Sequence, residues 1–209
     1  MVEEFSRACG GMGVGFAVNA LGSFPIIVGG TDEQKERFIP SCLRTDIYVC
    51  QLFSEPGAGS DVAGLQLHAE RDGDGYILNG TKQFITNGGI ANLYTVFAKI
   101  DKQHFTAFLV ERDFEGISNG PEEKKMGIKG SATCVMNFDG ATGYLIGPPN
   151  KGLAAMFTFM NTARLGTALQ GLAHADRNLA LRRQQDDAAV DVLEHVEHQW
   201  MTGRVVGRI

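Results

Sequence analysis

Cysteine is scarce in this sequence, and the spacing of the cysteines argues against a zinc site and against a disulfide-rich fold. The cysteines among the 209 residues are Cys9, Cys42, Cys50 and Cys134. They lie far apart, and none forms the Cys-x-x-Cys pair that zinc and redox motifs use. The sequence therefore predicts neither a zinc site nor a dense disulfide frame, and it favours a reducing compartment.

A metal site is also not predicted from histidine. His195 and His198 lie one helical turn apart, and with Glu194 they could in principle form a metal-binding face. Polar pairs at this spacing are common on exposed helices, and no third ligand with matched spacing appears. We interpret the three residues as a solvated helix face.

The sequence has fewer positively charged than negatively charged residues. The 19 Lys and Arg residues against 24 Asp and Glu give a formal net charge of -5 and a pI near 5.5. Proteins that bind nucleic acid usually cluster Lys and Arg on a basic background. Nucleic acid is therefore not expected as a partner.

Membrane and export signals are not evident in the sequence either. No apolar run is judged to approach the ~20 residues that cross a bilayer. The N-terminus lacks the basic, apolar and small-residue order of a secretory signal. We expect no membrane span, and a cytoplasmic protein in a bacterium or a protein of the mitochondrial matrix in a eukaryote.

A glycine-rich stretch, residues 57–60, follows a predicted strand. Glycine lets a backbone expose its N–H groups without a Cβ in the way, which suits close approach to a ligand. The stretch is not Gly-x-Gly-x-x-Gly followed by a crossover helix, and residues 75–82 do not form a Walker loop, so neither nucleotide motif is present. A plain turn between strands is the other interpretation on spacing alone.

The first 45 residues are predicted to be helical. Residues 2–20 carry apolar side chains at helical spacing, and a second helix over residues 35–43 follows a capping box at Thr31 to Gln34. The glycines in the first helix each cost up to ~1 kcal/mol unless a neighbouring backbone or ligand must approach closely. The sequence therefore predicts two helices joined by Gly29 and Gly30.

Short apolar runs bounded by Gly, Asp and Asn follow, and they predict strands. The predicted strands are residues 47–53, 65–71, 76–78, 94–100, 105–111 and 132–138. Their even spacing, without intervening helices, predicts an antiparallel barrel or sandwich. After Gly152 the chain returns to a helix that is predicted to end at Arg183, followed by a polar tail.

Three segments resemble the acyl-CoA dehydrogenase family. Residues 53–61 read Phe-Ser-Glu-Pro-Gly-Ala-Gly-Ser-Asp, which is similar to the family's flavin loop, Thr or Ser followed by Glu-Pro-x-Ala-Gly-Ser-Asp. Residues 78–87 read Leu-Asn-Gly-Thr-Lys-Gln-Phe-Ile-Thr-Asn, similar to the family's Leu-Asn-Gly-x-Lys-x-Trp-Ile-Thr-Asn strand, with Phe84 where Trp is common. Residues 125–134 are similar to its Lys-x-Gly-x-x-x-Ser segment.

The resemblance extends over about residues 2–175 and implies an α+β fold. The implied order is a partial N-terminal helical domain over residues 1–45, a middle antiparallel β-barrel over 46–148, the first helix of a C-terminal bundle over 149–183, and a divergent tail over 184–209. Residues 160–165 resemble the subgroup that acts on 3-methylmercaptopropionyl-CoA. The barrel half resembles the general short-chain-type enzymes instead.

The resemblance implies FAD as the cofactor and an acyl-CoA thioester as the substrate. Flavin-binding positions carried over from the family are Gln51, Phe53, Ser54, Gly59, Ser60, Phe84, Ile85 and Thr86. Phe84 would pack on the flavin and Thr86 would hydrogen-bond its N5 edge, although a core aromatic is the other interpretation of Phe84. Ser60 would also contact the thioester arm. Arg164 would lie near the acyl-CoA channel, unless it is a solvated helix residue.

The implied reaction is α,β-dehydrogenation, in which a carboxylate takes the α-proton while hydride leaves the β-carbon for the flavin. The family's usual catalytic Glu belongs to a later helix that these 209 residues do not contain, and Ala163 stands at the alternative base position. We therefore assign no catalytic residue and expect a shortened family member. A non-catalytic remnant and a related flavin oxidase or monooxygenase are the alternatives. The implied partners are an electron-transfer flavoprotein and further copies of the chain in a homo-oligomer.

Overall fold

The computed structural model describes residues 1–201, with the side chains of the last helix described up to residue 185 and at residues 187, 188 and 191. The chain begins with α1, Val2–Ala8, and α2, Gly10–Gly29. Cys9 separates them because its backbone is extended, with φ -156° and ψ 118°. The single helix predicted over residues 2–20 is therefore two helices.

Helix α3, Asp32–Leu43, begins at the predicted capping box. The Thr31 hydroxyl accepts a hydrogen bond from the Gln34 amide N–H, and the Gln34 side chain accepts one from the Thr31 N–H. This reciprocal pair satisfies two of the N–H groups that a helix start leaves unpaired. The capping-box prediction is confirmed.

The middle of the chain is a closed β-barrel. Its strands are β1 (Val49–Leu52), β2 (His68–Asp72), β3 (Gly75–Thr86), β4 (Leu93–Ile100), β5 (His104–Glu111), β6 (Ile117–Asn119) and β7 (Thr133–Leu145). The order β4-β2-β3-β7-β5 closes on itself through the pairing of β4 with β5, while β1 joins β4 and β6 joins β7. Closure leaves these central strands without free edges.

The predicted α+β fold class is confirmed, with two refinements. β4 pairs in parallel with both β1 and β2, whereas the other strand pairs are antiparallel. β3 and β7 are longer than predicted, since they pair with each other along most of their length, and β6 was not predicted. Asn79 and Gly80 of β3, which signal a turn in the sequence, pair with Asp139 and Phe138 of β7, and a register shift lies between Leu78 and Asn79.

Two hydrophobic clusters support the site. One fills the barrel and includes Leu52, Leu78 and Phe108; the other lies between the barrel and the helices and includes Ile26, Phe97 and Phe159. α2 packs on β1 at Gly22, where an added Cβ would lie 2.8 Å from the Val49 carbonyl. Glycine is needed there because the two backbones are nearly in contact.

Helix α4, Gly152–Met201, is longer than predicted. The predicted end of this helix at Arg183 is wrong, since the helix continues through residues 184–201. No glycine or proline occurs between residues 172 and 202, so nothing in the backbone chemistry stops it. α4 docks on α1, where Arg177 donates to the carbonyl oxygen of Arg7 at 2.6 Å. The last eight residues of the predicted tail, 202–209, lie outside the described residues.

Among residues 1–201, one helix meets the length and composition of a membrane span. This helix is α2, with 20 residues, and it corrects the sequence judgement that no apolar run approaches that length. Core helices meet the same criteria, so a single such helix is a weak indication. Here α2 packs against α1, α3, α4 and β1.

Candidate active site

The glycine-rich segment forms a turn outside β1. Glu55 and Ala58 exchange two backbone hydrogen bonds of 3.1 Å each, which close the turn. Gly57 and Gly59 are exposed, and a Cβ added at either would meet nothing within 4 Å. These two glycines are therefore not required by packing inside the chain, and the space beside them is open to a ligand. Ser60, which follows, is also exposed.

A buried ion pair joins this turn to β3. The Lys82 ammonium Nζ lies 2.7 Å from Glu55 Oε1, and the exposed side-chain fractions are 0% for Lys82 and 5% for Glu55. Burial lowers the pKa of Lys82 to about 8, although the Glu55 carboxylate acts in the opposite direction. Glu55 and Lys82 belong to the motifs at residues 53–61 and 78–87, but neither residue was predicted to have a role in the site.

β3 carries a bulge directly after Lys82, and Phe84 lies in it. The register with β7 shifts between Lys82 and Ile85, and Phe84 has φ 59° with 63% of its surface exposed. An aromatic residue with positive φ is strained by about 1–2 kcal/mol, and such strain is concentrated at functional sites. The Gln83 N–H donates to the Ser54 carbonyl at 2.9 Å, which holds the bulge against the turn.

Residues 85–87 lead from the bulge toward α2. Ile85 is buried in the barrel cluster, so its side chain faces away from the exposed ring of Phe84. Thr86 is half-buried and pairs with Thr133 of β7. Asn87 has φ 63°, and its side-chain amide donates to the Gly15 carbonyl of α2 at 3.0 Å.

Gln51 contributes a buried polar atom that the chain does not satisfy. Gln51 lies in β1, and its Oε1 is buried with no hydrogen-bond partner among the described residues. A buried acceptor without a partner costs about 1–3 kcal/mol, so it calls for a donor from outside the chain. Phe53, two residues on, packs half-buried against the cluster between barrel and helices.

Arg164 lies on α4 and makes no hydrogen bond to the turn or the bulge. Its side chain is exposed and donates to Asn161 of the same helix at 3.1 Å. Its neighbour Ala163 lines an apolar cavity of about 530 Å³ between α1, α2 and α4. Glu3 is the carboxylate in that lining, and it forms an ion pair of 3.0 Å with Arg7.

The structure thus brings together the predicted residues on the turn and the bulge, whereas Arg164 has no hydrogen bond to either of them. The positive φ of Phe84 and the Lys82–Glu55 pair were not found from sequence. Lys82 and Glu55 belong to two motifs that the family resemblance assigns to one ligand. Opposite charges in two such motifs are the sequence signal from which the ion pair could have been predicted. No cluster of metal-binding side chains occurs in the described part of the chain, and His195 and His198 lie outside its described side chains.

Comparison with known proteins agrees with this architecture. Residues 1–46 match the model of the acyl-CoA dehydrogenase N-terminal domain, and residues 50–141 match that of the acyl-CoA dehydrogenase middle domain. A probable acyl-CoA dehydrogenase of Bacillus subtilis is 37% identical over 87% of this chain and 31% of its own length. Cyclohexane-1-carbonyl-CoA dehydrogenase of Geobacter metallireducens is 38% identical over 93% of this chain and 54% of its own length.

A solved structure shows the same relationship. The acyl-CoA dehydrogenase of Bacillus anthracis, determined in complex with FAD, has a TM-score of 0.84 and 36% identity over 88% of this chain and 32% of its own. N-terminal helices docked on a closed barrel, with a turn and a bulge at one edge, define an acyl-CoA dehydrogenase-like α+β protein. The chain belongs to the acyl-CoA dehydrogenase family. It spans about a third to a half of the lengths of these relatives.

Proposed function

We propose that this chain provides the flavin- and thioester-binding part of an FAD-dependent acyl-CoA dehydrogenase. The observation that carries the proposal is Phe84, an exposed aromatic ring held at positive φ beside the Ser54 turn. An exposed ring in a strained backbone contributes little to the core, whereas it suits stacking on a planar ligand.

The donor and acceptor chemistry of the site fits a flavin. The unpartnered Gln51 Oε1 is an acceptor for a ring N–H, and the open space beside Gly59 admits a ligand close to the backbone. The residues proposed to hold FAD are Gln51, Phe53, Ser54, Gly59, Ser60, Phe84, Ile85 and Thr86. Because the Ile85 side chain is buried in the barrel, it would act through its backbone or by supporting its neighbours.

Bound FAD would supply the hydride acceptor for α,β-dehydrogenation. The chain would orient the reactants: Phe84 would fix the plane of the ring, and the Thr86 hydroxyl would donate at its reactive edge. Ser60 would hold the thioester arm. Positioning of this kind lowers a barrier because the reacting atoms are already aligned.

The apolar cavity between α2 and α4 suits the acyl chain of the substrate. Its lining includes Val14, Leu21 and Leu169, and a cavity lined in this way favours a hydrocarbon over a polar group. Arg164, next to Ala163, is the proposed contact for a polar group of the acyl-CoA at this cavity.

The base for proton abstraction is the missing part of the proposal. Ala163 cannot accept a proton, and the Glu3 carboxylate in the cavity lining is already paired with Arg7. This observation favours a second candidate function, in which the chain binds FAD and acyl-CoA without dehydrogenation by its own residues. An electron-transfer flavoprotein as acceptor, a homo-oligomer, and a cytoplasmic or mitochondrial-matrix location are further parts of the proposal.

Purified chain distinguishes these functions. We expect it to bind added FAD, with quenching of flavin fluorescence and a higher melting temperature, as a ligand of the folded state requires. Bleaching of the bound flavin by an acyl-CoA without oxygen would establish dehydrogenation, whereas binding without bleaching would establish the second candidate. If FAD changes neither fluorescence nor melting temperature, the proposed function is wrong. Riboflavin and free CoA serve as controls for the two halves of the site.

A further inference from the structure

The Lys82–Glu55 pair is the most deeply buried ionic feature of the described chain. Besides the Lys82 contact at 2.7 Å, Glu55 accepts the backbone N–H of Gln66 at 2.6 Å and that of Leu67 at 3.0 Å. The Lys82 ammonium also donates to the Phe53 carbonyl at 3.2 Å. The pair therefore connects the turn, the segment before β2, and β3.

Stability alone does not account for this arrangement. Removing two charges from water costs several kcal/mol per ion, and well-packed apolar side chains of similar size are often as stable as a buried ion pair. What an ion pair adds is a defined distance and direction between its two segments. A buried polar pair of this type is best attested as a device that sets register.

The place of the pair in the fold points to what it positions. Lys82 is the last residue of β3 in register with β7 before the shift at Ile85, and Phe84 lies between them. On the other side, Glu55 follows Ser54, whose carbonyl accepts from the Gln83 N–H at 2.9 Å. The ion pair and this hydrogen bond together fix the bulge against the turn from both ends.

We propose that Lys82 and Glu55 are positioning residues, whose buried ion pair sets the spacing between the turn at residues 54–60 and the bulge at Phe84 so that both contact one flavin ring. The inference rests on the proposed function, because it names what keeps that site in shape. Both side chains are buried, with 0% of Lys82 and 5% of Glu55 exposed, so we expect them to act on the ligand through the turn and the bulge that they connect.

The test compares Lys82→Met, Glu55→Gln and the double variant with the wild-type chain. Each single variant leaves one buried charge without its partner, so it should lose stability. The double variant removes both charges and should recover most of that stability. We expect FAD affinity to fall by about tenfold or more in all three and not to recover in the double variant, because alignment is lost. Lys99→Met, a lysine of β4 in the same barrel, is the matched control.

Hydrogen exchange provides a readout that does not depend on FAD. In the double variant we expect faster amide exchange at residues 54–60 and 82–86 and unchanged exchange in β4 and β5. The inference is overturned if the double variant binds FAD and exchanges like the wild type, or if Lys99→Met is affected as strongly. If the wild type itself does not bind FAD, the proposed function fails, and the exchange pattern alone then decides whether the pair positions the two segments.

Discussion

At the scale of single residues, the backbone of Phe84 can be tested apart from its ring. Phe84→Ala and Phe84→Gly both remove the aromatic ring, but only glycine adopts φ near 59° without strain. We expect Phe84→Gly to be more stable than Phe84→Ala by about 1 kcal/mol, less the entropy that glycine adds to the unfolded chain. Urea denaturation of the two variants measures the difference.

The affinity for FAD should not differ between Phe84→Ala and Phe84→Gly in the way that their stability does. Both variants lack the stacking ring, so each should bind FAD more weakly than the wild type, by an amount near the ~1 kcal/mol of an aromatic pair. Phe84→Trp should bind FAD at least as tightly as the wild type, because the larger ring keeps the stacking face. If the alanine variant is instead more stable than the glycine variant by about 0.4–1 kcal/mol, as the entropy of the unfolded chain alone requires, residue 84 is not held at positive φ in solution.

The depressed pKa of Lys82 predicts how stability depends on pH. Burial lowers its pKa to about 8 in the folded chain, against about 10.4 in an unfolded one. Between these values the unfolded state holds a proton that the folded state has released, so the free energy of unfolding rises with pH. The Glu55 carboxylate raises the pKa of Lys82 and so partly offsets the effect of burial.

The double variant Lys82→Met with Glu55→Gln isolates this effect best, because it removes both members of the buried pair and leaves no unpaired carboxylate. Relative to that variant, the wild type should gain on the order of 3 kcal/mol between pH 8 and 10.5. Urea denaturation at several pH values measures the two curves. A difference that stays flat up to pH 10.5 would mean that Lys82 keeps an ordinary pKa when buried.

At the scale of elements, the contact of α2 with β1 depends on Gly22. An added Cβ would lie 2.8 Å from backbone atoms of Val49, which cannot move as a side-chain tip can. We expect Gly22→Ala to lower the free energy of unfolding by about 1–3 kcal/mol. It should also disturb β1, and with it Gln51, so FAD binding should weaken.

Gly171 offers the matched control. It lies in α4, and an added Cβ there meets nothing within 4 Å. Gly171→Ala should therefore stabilise the helix by up to about 1 kcal/mol, as the helix propensities of the two residues require. Calorimetry gives the melting temperatures of both variants. If Gly22→Ala melts at the same temperature as the wild type, α2 and β1 are not in close contact at Gly22.

Sequence predicted the elements whose signals are local. The Thr31 capping box, β4 and β5 follow from patterns within a few residues, and the structure places them almost as predicted. The length of β3 was missed because Asn79 and Gly80 resemble a hairpin turn, whereas long-range pairing with β7 keeps them in the strand. The break at Cys9 was missed for the same reason, since it depends on how α1 and α2 pack.

For the candidate site, the motif resemblance assigned residues of segments 53–61 and 78–87 to one flavin, and the Gln83–Ser54 hydrogen bond is the contact that joins the two segments. The strain at Phe84 could not be read from the sequence, because nothing local forces an aromatic residue to positive φ. Three-dimensional pairing on both sides of the bulge imposes it. The burial of Lys82 is likewise a property of the closed barrel and not of its strand.

At the scale of the whole molecule, α4 carries an apolar stripe that the described chain leaves uncovered. Leu165, Leu172 and Leu179 recur every seven residues and are 70%, 60% and 57% exposed. Apolar surface repeated along one helix face favours association, because water is released when two such faces meet. We therefore expect the 209-residue chain to associate with itself at micromolar concentration.

Substitution at two of these positions tests the expectation. Leu165→Gln with Leu172→Gln should raise the monomer fraction in sedimentation velocity, since each buried leucine contributes roughly 1.5–3 kcal/mol. Leu165→Met with Leu172→Met keeps the stripe apolar and should leave association unchanged. If the glutamine pair associates as strongly as the methionine pair, the α4 stripe is not the contact, and association, where it occurs, uses another surface of the molecule.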